Sequence, residues 1–344
     1  MQINIHSHVV PKGINGMAGR YGPEVSIDDQ GVLVIKLGDS TFRADRVQRT
    51  TVNGEEPDYW TLLSDPRIRI EEMDEAGIDV IGVSGTPLLY LYHVDAPTAH
   101  NFLASYNDCL AAFCAHAPDR LFFNAMLPLQ DADLAVKEAH RALGELGARG
   151  INIGASDIAG HDLDDTSLWP AYQAAVEHDA PLFIHPAPSA FVHGSEERHR
   201  ESIILGYPYQ ESSAFLHLVL GGVFDEFPDL KVYLTHGGGF VPYQLGRIET
   251  LAQVAFDAKN KRPVREYLDN FYFDLLIHDV KARRFAVDAV GAERLVIGDN
   301  YQGMDSADGF AYLNELNLPP EQDELIRWRN AARLFKLNVA GAAA

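Results

Sequence analysis

The stretch Gln2-Ile3-Asn4-Ile5-His6-Ser7-His8 is a short apolar strand that ends in two histidines. Similar short apolar runs recur along the chain, and longer amphipathic stretches with helical periodicity separate them. The eight predicted strands cover residues 2–6, 80–84, 121–126, 150–154, 182–185, 231–235, 271–275 and 295–298. Strands that alternate with helices indicate an α/β fold with a parallel sheet. We therefore predict a (β/α)8 barrel, also called a TIM barrel. The alternative is an open, doubly wound sheet, because the same alternation of strands and helices occurs in both folds.

Two stretches interrupt this alternation. From residue 11 to about residue 60, the chain holds the alternating segment Val32-Leu33-Val34-Ile35-Lys36-Leu37, which predicts a small β-rich insertion after the first strand. The second interruption, residues 186–211, is rich in His, Pro, Glu and Arg. Both follow a strand at its carboxyl end, which is where barrel enzymes build their active sites. We predict that residues 1–344 form one barrel domain with this insertion.

The composition excludes several classes of partner. The chain has 344 residues, with 28 Lys and Arg against 49 Asp and Glu, and a formal net charge of −21. Nucleic acids and anionic membranes recruit basic surfaces, so neither is an expected partner. The first residues lack the basic and apolar regions of a signal peptide, and no apolar run approaches the ~18 residues of a membrane span. We predict a cytoplasmic protein.

Metal-ligating side chains stand at the ends of four predicted strands. His6 and His8 are two residues apart, so on a strand they share a face. His185, His236 and Asp299 are each the first polar residue after an apolar strand. Carboxyl ends of parallel strands meet at one edge, so these side chains predict a metal site. Imidazole and carboxylate ligands suit Zn²⁺, and Mn²⁺, Fe²⁺ and Co²⁺ accept them as well.

These motifs resemble the amidohydrolase superfamily, and within it the branch of aminocarboxymuconate-semialdehyde decarboxylase and related non-oxidative aromatic-acid decarboxylases. The resemblance covers nearly the whole chain. The matching segments are Ile5-His6-Ser7-His8, Arg69-Ile70-Glu71-Glu72-Met73-Asp74, Phe183-Ile184-His185-Pro186, Leu220-Gly221-Gly222-Val223-Phe224, His236-Gly237-Gly238-Gly239, Gly246-Arg247-Ile248 and Gly298-Asp299.

The resemblance implies a distorted (β/α)8 barrel that holds one divalent metal ion, typically zinc and alternatively manganese, with no organic cofactor. Carried over by position, the metal ligands are His6, His8, His185 and Asp299, and His236 is the catalytic histidine beside the metal. Binuclear members carry a bridging lysine on the fourth strand. The fourth strand here, residues 150–154, has no lysine, which favours a single metal.

The resemblance also implies residues that bind the substrate. Arg43, in the insertion, matches an arginine that binds the substrate carboxylate, and a guanidinium can clamp a carboxylate with two hydrogen bonds. Arg247 matches a second arginine, which in the family reaches the active site of a neighbouring subunit, so a homodimer is expected. Asp274 ends the seventh strand, where we expect it to hydrogen-bond a ligand histidine.

The predicted function is a metal-dependent, cofactor-free decarboxylase of an aromatic or muconate-type carboxylic acid. The alternative is a hydrolase or hydratase that acts on a C–C or C–O bond of a ring-cleavage product at the same site. Within the decarboxylase hypothesis, either His236 acts as the base or Asp299 protonates the ring carbon, and the sequence leaves both routes open. The family's usual Tyr-Pro after the aspartate is replaced by Asn300-Tyr301, and Ala187-Pro188 replaces a family tryptophan, so the substrate is not predicted.

Overall fold

The computed structural model describes residues 1–44, 51–52, 54–187, 199–301, 303–306 and 308–339. Its strands are β1 (Ile3–Asn4), β2 (His8–Val9), β3 (Glu24–Ile27), β4 (Leu33–Leu37), β5 (Ser40–Ala44), β6 (Val80–Gly85), β7 (Leu121–Met126), β8 (Gly150–Gly154), β9 (Leu182–His185), β10 (Val232–Leu234), β11 (Phe271–Asp274) and β12 (Leu295–Val296).

The α-helices connect these strands. They are α1 (Tyr59–Ser64), α2 (Pro66–Ala76), α3 (Ala96–Cys114), α4 (Ala132–Gly144), α5 (Trp169–Glu177), α6 (Glu201–Ile204), α7 (Gly206–Leu220), α8 (Val223–Glu226), α9 (Val241–Ala252), α10 (Val280–Val290), α11 (Gly309–Glu315), α12 (Pro320–Glu324) and α13 (Asn330–Leu334). A π-helical turn, Leu325–Arg329, joins α12 to α13. None of the helices in the described ranges is both long enough and apolar enough to cross a bilayer.

The main sheet is a barrel of parallel strands. Its order is β1-β6-β7-β8-β9-β10-β11-β12, and β2 continues the first strand by pairing with β6. The backbone N–H of Ile5 donates a hydrogen bond to the carbonyl of Ile297 over 2.9 Å, and Ser7 pairs in parallel with Tyr301. These contacts join the first strand to the last. The predicted (β/α)8 barrel is therefore confirmed, and the open sheet is excluded.

The barrel strands are buried because helices cover their outer faces. Every residue of β6, β7 and β8 is buried, as expected for parallel strands covered on both sides. At the amino-terminal end of the barrel, Phe183 and Tyr233 belong to the same apolar cluster as Trp328 and Phe335 of the C-terminal helical segment. This segment was not among the predicted helices. It closes the base of the barrel and leaves the carboxyl ends of the strands for a site.

The predicted β-rich insertion is present as the antiparallel sheet β3-β4-β5. The segment predicted to alternate, residues 32–37, forms β4, in which Ile35 pairs with Phe42 of β5. Ile35, Phe42 and Ala44 line a cavity beside the carboxyl ends of the barrel strands. The insertion thus forms one wall over the end of the barrel where the metal site is predicted.

Candidate metal centre and active site

Four histidines converge at the carboxyl ends of the barrel strands. Nitrogen atoms of His6, His185 and His236 lie within 4.8 Å of one another. The ring of His8 lies 5.3 Å from that of His6 and 5.0 Å from that of His185, measured between ring centroids. The first strand, β9 and the end of β10 supply these residues, so the barrel brings together side chains that are far apart in sequence.

Three buried histidine nitrogens lack hydrogen-bond partners, which is the condition expected of metal ligands. Both ring nitrogens of His6 and Nε2 of His185 are buried without a hydrogen bond. Burial and the neighbouring imidazoles lower the pKa of His6 and of His185 well below the ordinary value, and burial lowers the pKa of His8 to about 4. The imidazoles are therefore neutral and offer lone pairs. Because buried polar atoms are rarely left unsatisfied, this donor set fits a divalent metal ion.

Asp299 lies on the adjoining strand end, with its carboxylate held by the protein. Its Oδ1 accepts a hydrogen bond from Asn4 Nδ2, and its Oδ2 accepts one from the backbone N–H of Gly309 over 3.3 Å. Burial raises the pKa of Asp299 to about 7. Its oxygens are not among the atoms that converge with the three histidines. Asp299 thus stands beside the centre, and its role as a ligand stays a prediction.

The carboxylate of Asp274 is fixed by three donors next to His6. Tyr233 donates its hydroxyl to Asp274 Oδ2 over 2.6 Å, and the N–H groups of Gly237 and Leu276 donate to Oδ1 over 2.8 and 3.1 Å. Oδ2 also lies 3.4 Å from His6 Nδ1. Asp274 is thus the neighbour of a predicted ligand histidine, but the hydrogen bond expected between the two side chains is not formed. Burial raises its pKa, while the three donors and the nearby His236 oppose that shift.

His236 is paired with Glu211, a residue that the sequence analysis missed. Glu211 lies on α7 and is fully buried. Its Oε1 accepts a hydrogen bond from His236 Nδ1 over 2.8 Å and another from the hydroxyl of Thr235. This bond places the proton on Nδ1 and leaves Nε2 of His236 for a substrate or a metal. A signal was present in the sequence, since Glu211, Phe215 and Leu218 occupy one buried face of the helix at i, i+4 and i+7.

The pair has unusual electrostatics in the metal-free chain. Burial raises the pKa of Glu211 to about 7, against the stabilising effect of His236 and Thr235. Burial works against charge on His236 too, but the attraction of the Glu211 carboxylate outweighs it and raises the pKa of His236 to about 9. A histidine and a carboxyl group that share a proton in this way can hold and move one during a reaction.

The fourth barrel strand carries a buried amide, that of Asn152. Asn152, on β8, accepts a hydrogen bond from the Tyr90 hydroxyl over 2.7 Å and donates one to the carbonyl of Gly85 over 3.1 Å. Both ends of this amide are therefore occupied by the protein. That the centre holds one metal ion stays a prediction.

A small apolar cavity of about 100 Å³ adjoins the histidines. His8, His185 and His236 form its floor, the insertion forms a wall, and Asp305 and Asn300 are polar residues at its rim. His236 and Asp305 also line a larger groove of about 940 Å³ between α7, α9 and α10. No arginine or lysine is among the described residues that line the small cavity. A substrate acid would thus meet an apolar pocket with its polar groups concentrated at the metal end.

The structure does not bring the two predicted substrate arginines to this cavity within one chain. Arg43 alternates with Phe42 and Ala44 on β5, so its side chain points to the opposite face of that sheet, where it pairs with Asp28. Arg247 is exposed on α9, outside the cavity. Contact of either arginine with the substrate stays a prediction.

A comparison with family models matches residues 3–337 to the amidohydrolase family. The chain belongs to this family. Among curated relatives, it is 29% identical to 2-amino-3-carboxymuconate-6-semialdehyde decarboxylase of Dictyostelium discoideum, over 88% of this chain and 81% of that protein. It is 27% identical to a gamma-resorcylate decarboxylase of Polaromonas, over 80% and 88%. It is also 26% identical to 2-keto-4-carboxy-3-hexenedioate hydratase of Sphingobium, over 79% and 85%.

Solved structures share the fold of this amidohydrolase. The protein named IDCase from Metarhizium anisopliae superposes with a TM-score of 0.81 at 24% identity, covering 98% of both chains. The 5-carboxyvanillate decarboxylase of Novosphingobium aromaticivorans, solved as a variant with bound manganese and 3-methoxy-4-hydroxy-5-nitrobenzoic acid, superposes with a TM-score of 0.79 at 25% identity. The match covers 98% of this chain and 97% of that one.

Removing a metal-facing side chain should remove the metal and the activity together. We expect H185A and D299A of this amidohydrolase to lose bound metal, because each deletes one donor of the predicted set. Elemental analysis of dialysed protein measures this, alongside the rate of substrate turnover. H116A, which changes an exposed histidine, should retain both. Full metal occupancy in H185A or in D299A would disprove the assignment of that residue.

Replacing Glu211 should slow turnover while the metal stays bound. E211Q keeps the shape of the side chain but removes the charge that holds the His236 proton, so we expect kcat to fall by roughly 10² or more. E138Q is the matched control, since Glu138 is a buried carboxylate that bonds Asn107 and Arg141 away from the histidines. An unchanged kcat in E211Q, with E138Q as reference, would show that Glu211 has no part in the reaction.

Proposed function

We propose that this chain is a metal-dependent decarboxylase that removes the carboxyl group of an aromatic or muconate-type acid without an organic cofactor. The observation that carries the proposal is the convergence of four histidines beside a small apolar cavity, with buried, unpartnered nitrogens on His6 and His185. Such a cluster can bind a cation, and the cation can in turn bind an acid whose apolar body fills the cavity.

The relatives support the type of reaction. The Dictyostelium and Polaromonas proteins are named as decarboxylases of a muconate semialdehyde and of a dihydroxybenzoate, and the Novosphingobium protein as a decarboxylase of a carboxyvanillate. The carboxy-lyase predicted from the sequence agrees with these names. Each of the three named substrates is a carboxylic acid on an unsaturated carbon skeleton.

Different residues of the chain would bind the metal ion and transfer the proton. A divalent ion, when bound by His6, His8, His185 and Asp299, would act as a Lewis acid that draws electron density from the substrate. When the bond to the carboxyl carbon breaks, its electron pair stays on the substrate and CO₂ leaves. A proton must then replace it on carbon. Asp299 supplies that proton in one route. In the other route His236 exchanges the proton, supported by Glu211.

Manganese and zinc are both candidates for the native ion. The residue types alone suit zinc, the ion predicted from the sequence. The Novosphingobium decarboxylase was solved with manganese, which favours testing manganese first. Both ions accept imidazole and carboxylate ligands, so reconstitution of the metal-free protein with each ion separately is the direct comparison.

Hydration is the second candidate reaction. The Sphingobium relative is named as a hydratase of a keto-carboxy-hexenedioate, and its similarity is close to that of the Polaromonas decarboxylase. A hydratase could use the same histidines at the floor of the cavity, with His236 and Glu211 transferring the proton of water. The two reactions differ in their products, because only decarboxylation releases CO₂.

Release of CO₂ separates these hypotheses. We expect metal-loaded protein to release CO₂ from at least one member of a panel of hydroxybenzoates, carboxyvanillate and ring-cleavage acids. Chelation should abolish the release, and added Mn²⁺ or Zn²⁺ should restore it. Headspace CO₂ analysis and chromatography of the products measure the outcome. Conversion of an acid without CO₂ would favour the hydratase, and no conversion after reconstitution with either ion would count against both.

We also infer that the chain forms a homodimer through the large groove. Apolar side chains line its edge and are unusually exposed, with Tyr243 at 76%, Ile204 at 64% and Phe285 at 46%. Exposed apolar patches of this kind mark interaction sites. Arg247 lies one helical turn after Tyr243 on α9, so a partner seated on this face would contact it. A dimer would thereby place Arg247 next to a second subunit, as the family resemblance implies.

A charge in the groove should separate the subunits. We expect Y243D to run as a monomer of 38.0 kDa in light scattering and sedimentation, whereas the unmodified protein should have twice that mass. Burying an unpaired carboxylate in an apolar interface is costly, which is the reason for the expected dissociation. M17D places the same charge on an exposed apolar residue outside the groove and should stay dimeric. A monomeric unmodified protein, or a dimeric Y243D, would refute this interface.

A further inference from the structure

Arg69 and Glu72 form a buried ion pair on α2, beneath the segment that carries His6 and His8. The two residues are 0% and 2% exposed, and Arg69 Nε lies 3.7 Å from Glu72 Oε2. Taking two charges out of water costs several kcal/mol per ion, and their attraction repays that cost only in part. An apolar pair at this position would stabilise a helix equally well. The packing of α2 alone therefore does not explain why these two charged side chains are buried.

The guanidinium of Arg69 donates hydrogen bonds to the first barrel strand. Nη1 donates to the hydroxyl of Ser7, and Nη2 lies 3.4 Å from the carbonyl of His8 and 3.1 Å from that of Leu62. Arg69 thus contacts the residue between the two histidines and the backbone of the second one. The two histidines that flank Ser7, His6 and His8, are the residues of this strand whose side chains face the metal centre.

The segment that Arg69 contacts is a break in the strand. β1 ends at Asn4 and β2 begins at His8, and between them the N–H of Ser84 on β6 donates to the Ser7 carbonyl over 2.9 Å. Ser7 also bonds the last strand, because its hydroxyl donates to the carbonyl of Tyr301 over 2.9 Å. The N–H of Tyr301 donates to the carbonyl of His6 over 2.8 Å. This stretch is held by individual hydrogen bonds to its two neighbouring strands, and Arg69 adds a side-chain contact to it.

We propose that Arg69 is a positioning residue for the metal centre, with Glu72 as its counter-ion. By holding Ser7 and the His8 carbonyl, it fixes the directions of the two imidazoles that project from either side of Ser7. The proposal rests on the metal site proposed above. It adds that metal affinity depends on a side chain that touches neither the ion nor the substrate.

A purely electrostatic effect of Arg69 predicts the opposite result. Removal of a buried cation near the centre would strengthen the binding of a divalent ion, whereas loss of positioning would weaken it. S7A separates the two effects further. It deletes the acceptor of the guanidinium without a change in charge, so only the positioning role predicts a weaker metal site.

The test is metal affinity in a set of variants. Metal-free protein is titrated with Mn²⁺ by electron paramagnetic resonance and with Co²⁺ by visible absorption, which also reports the ligand geometry. We expect R69M to bind both ions about 10–100-fold more weakly, the range seen when residues that orient metal ligands are lost. S7A should be weakened in the same direction with a perturbed Co²⁺ spectrum, and R69K should recover part of the affinity.

R283M is the matched control. Arg283 is also buried, at 2% exposure, donates to Glu315 over 2.9 Å and lies 3.8 Å from the centre of the Tyr312 ring, away from the histidines. R283M should lose thermal stability and keep the metal affinity of the unmodified protein. If R69M fails to fold, S7A and R69K decide the matter.

Two results would overturn the proposal. One is an R69M or S7A protein that binds metal as tightly as the unmodified chain, and the other is an R283M protein that loses as much affinity as R69M. If the unmodified chain itself binds neither ion, the proposed metal function fails first, and the positioning role falls with it. Metal affinity of the unmodified protein thus distinguishes the two failures.

Discussion

Closure of the barrel is the constraint on which the site depends. The first strand meets the last through the hydrogen bond from the N–H of Ile5 to the carbonyl of Ile297 and through the pairing of Ser7 with Tyr301. Without this join, His6 and Asp299 would stand at opposite edges of an open sheet. With it, polar side chains from both ends of the chain meet over one barrel mouth. Gly298 sits in this join, and a Cβ there would lie 2.2 Å from the Tyr233 hydroxyl and 2.9 Å from the Cβ of His6.

Around the converging histidines, the barrel buries polar side chains that protein partners hold in place. Asp274 lies beside His6, Glu211 bonds His236, and Asn4 bonds Asp299. Such partners restrict the rotation of the side chains above them, so the geometry of the centre is prepared before an ion or a substrate arrives. Interior groups of this kind reduce stability, and their presence is explained by the chemistry above them.

Much of this arrangement could be read from the sequence, because polar residues interrupt apolar strands at the same end. That pattern located His6, His8, His185, His236 and Asp299. Glu211 was missed because α7 begins at Gly206, earlier than the predicted helix, so the glutamate was assigned to a loop. The C-terminal helical segment was not predicted, because its π-helical turn shifts the apolar residues out of a regular 3.6-residue period. The face of the sheet to which the Arg43 side chain points depends on how β5 pairs with β4, and the sequence position alone does not specify that face.

The apolar cluster that closes the base of the barrel limits how molecules enter and leave the site. Trp328 and Phe335 belong to one apolar cluster with Phe183 and Tyr233, below the layer that carries the histidines. In the described part of the chain, this packing closes the axial route through the barrel, so the chamber is a dead end with its mouth at the insertion and the large groove. An arriving acid and a departing molecule of CO₂ must use the same mouth. Their order of passage, and the opening of that mouth, can then limit the rate as much as the breaking of a bond.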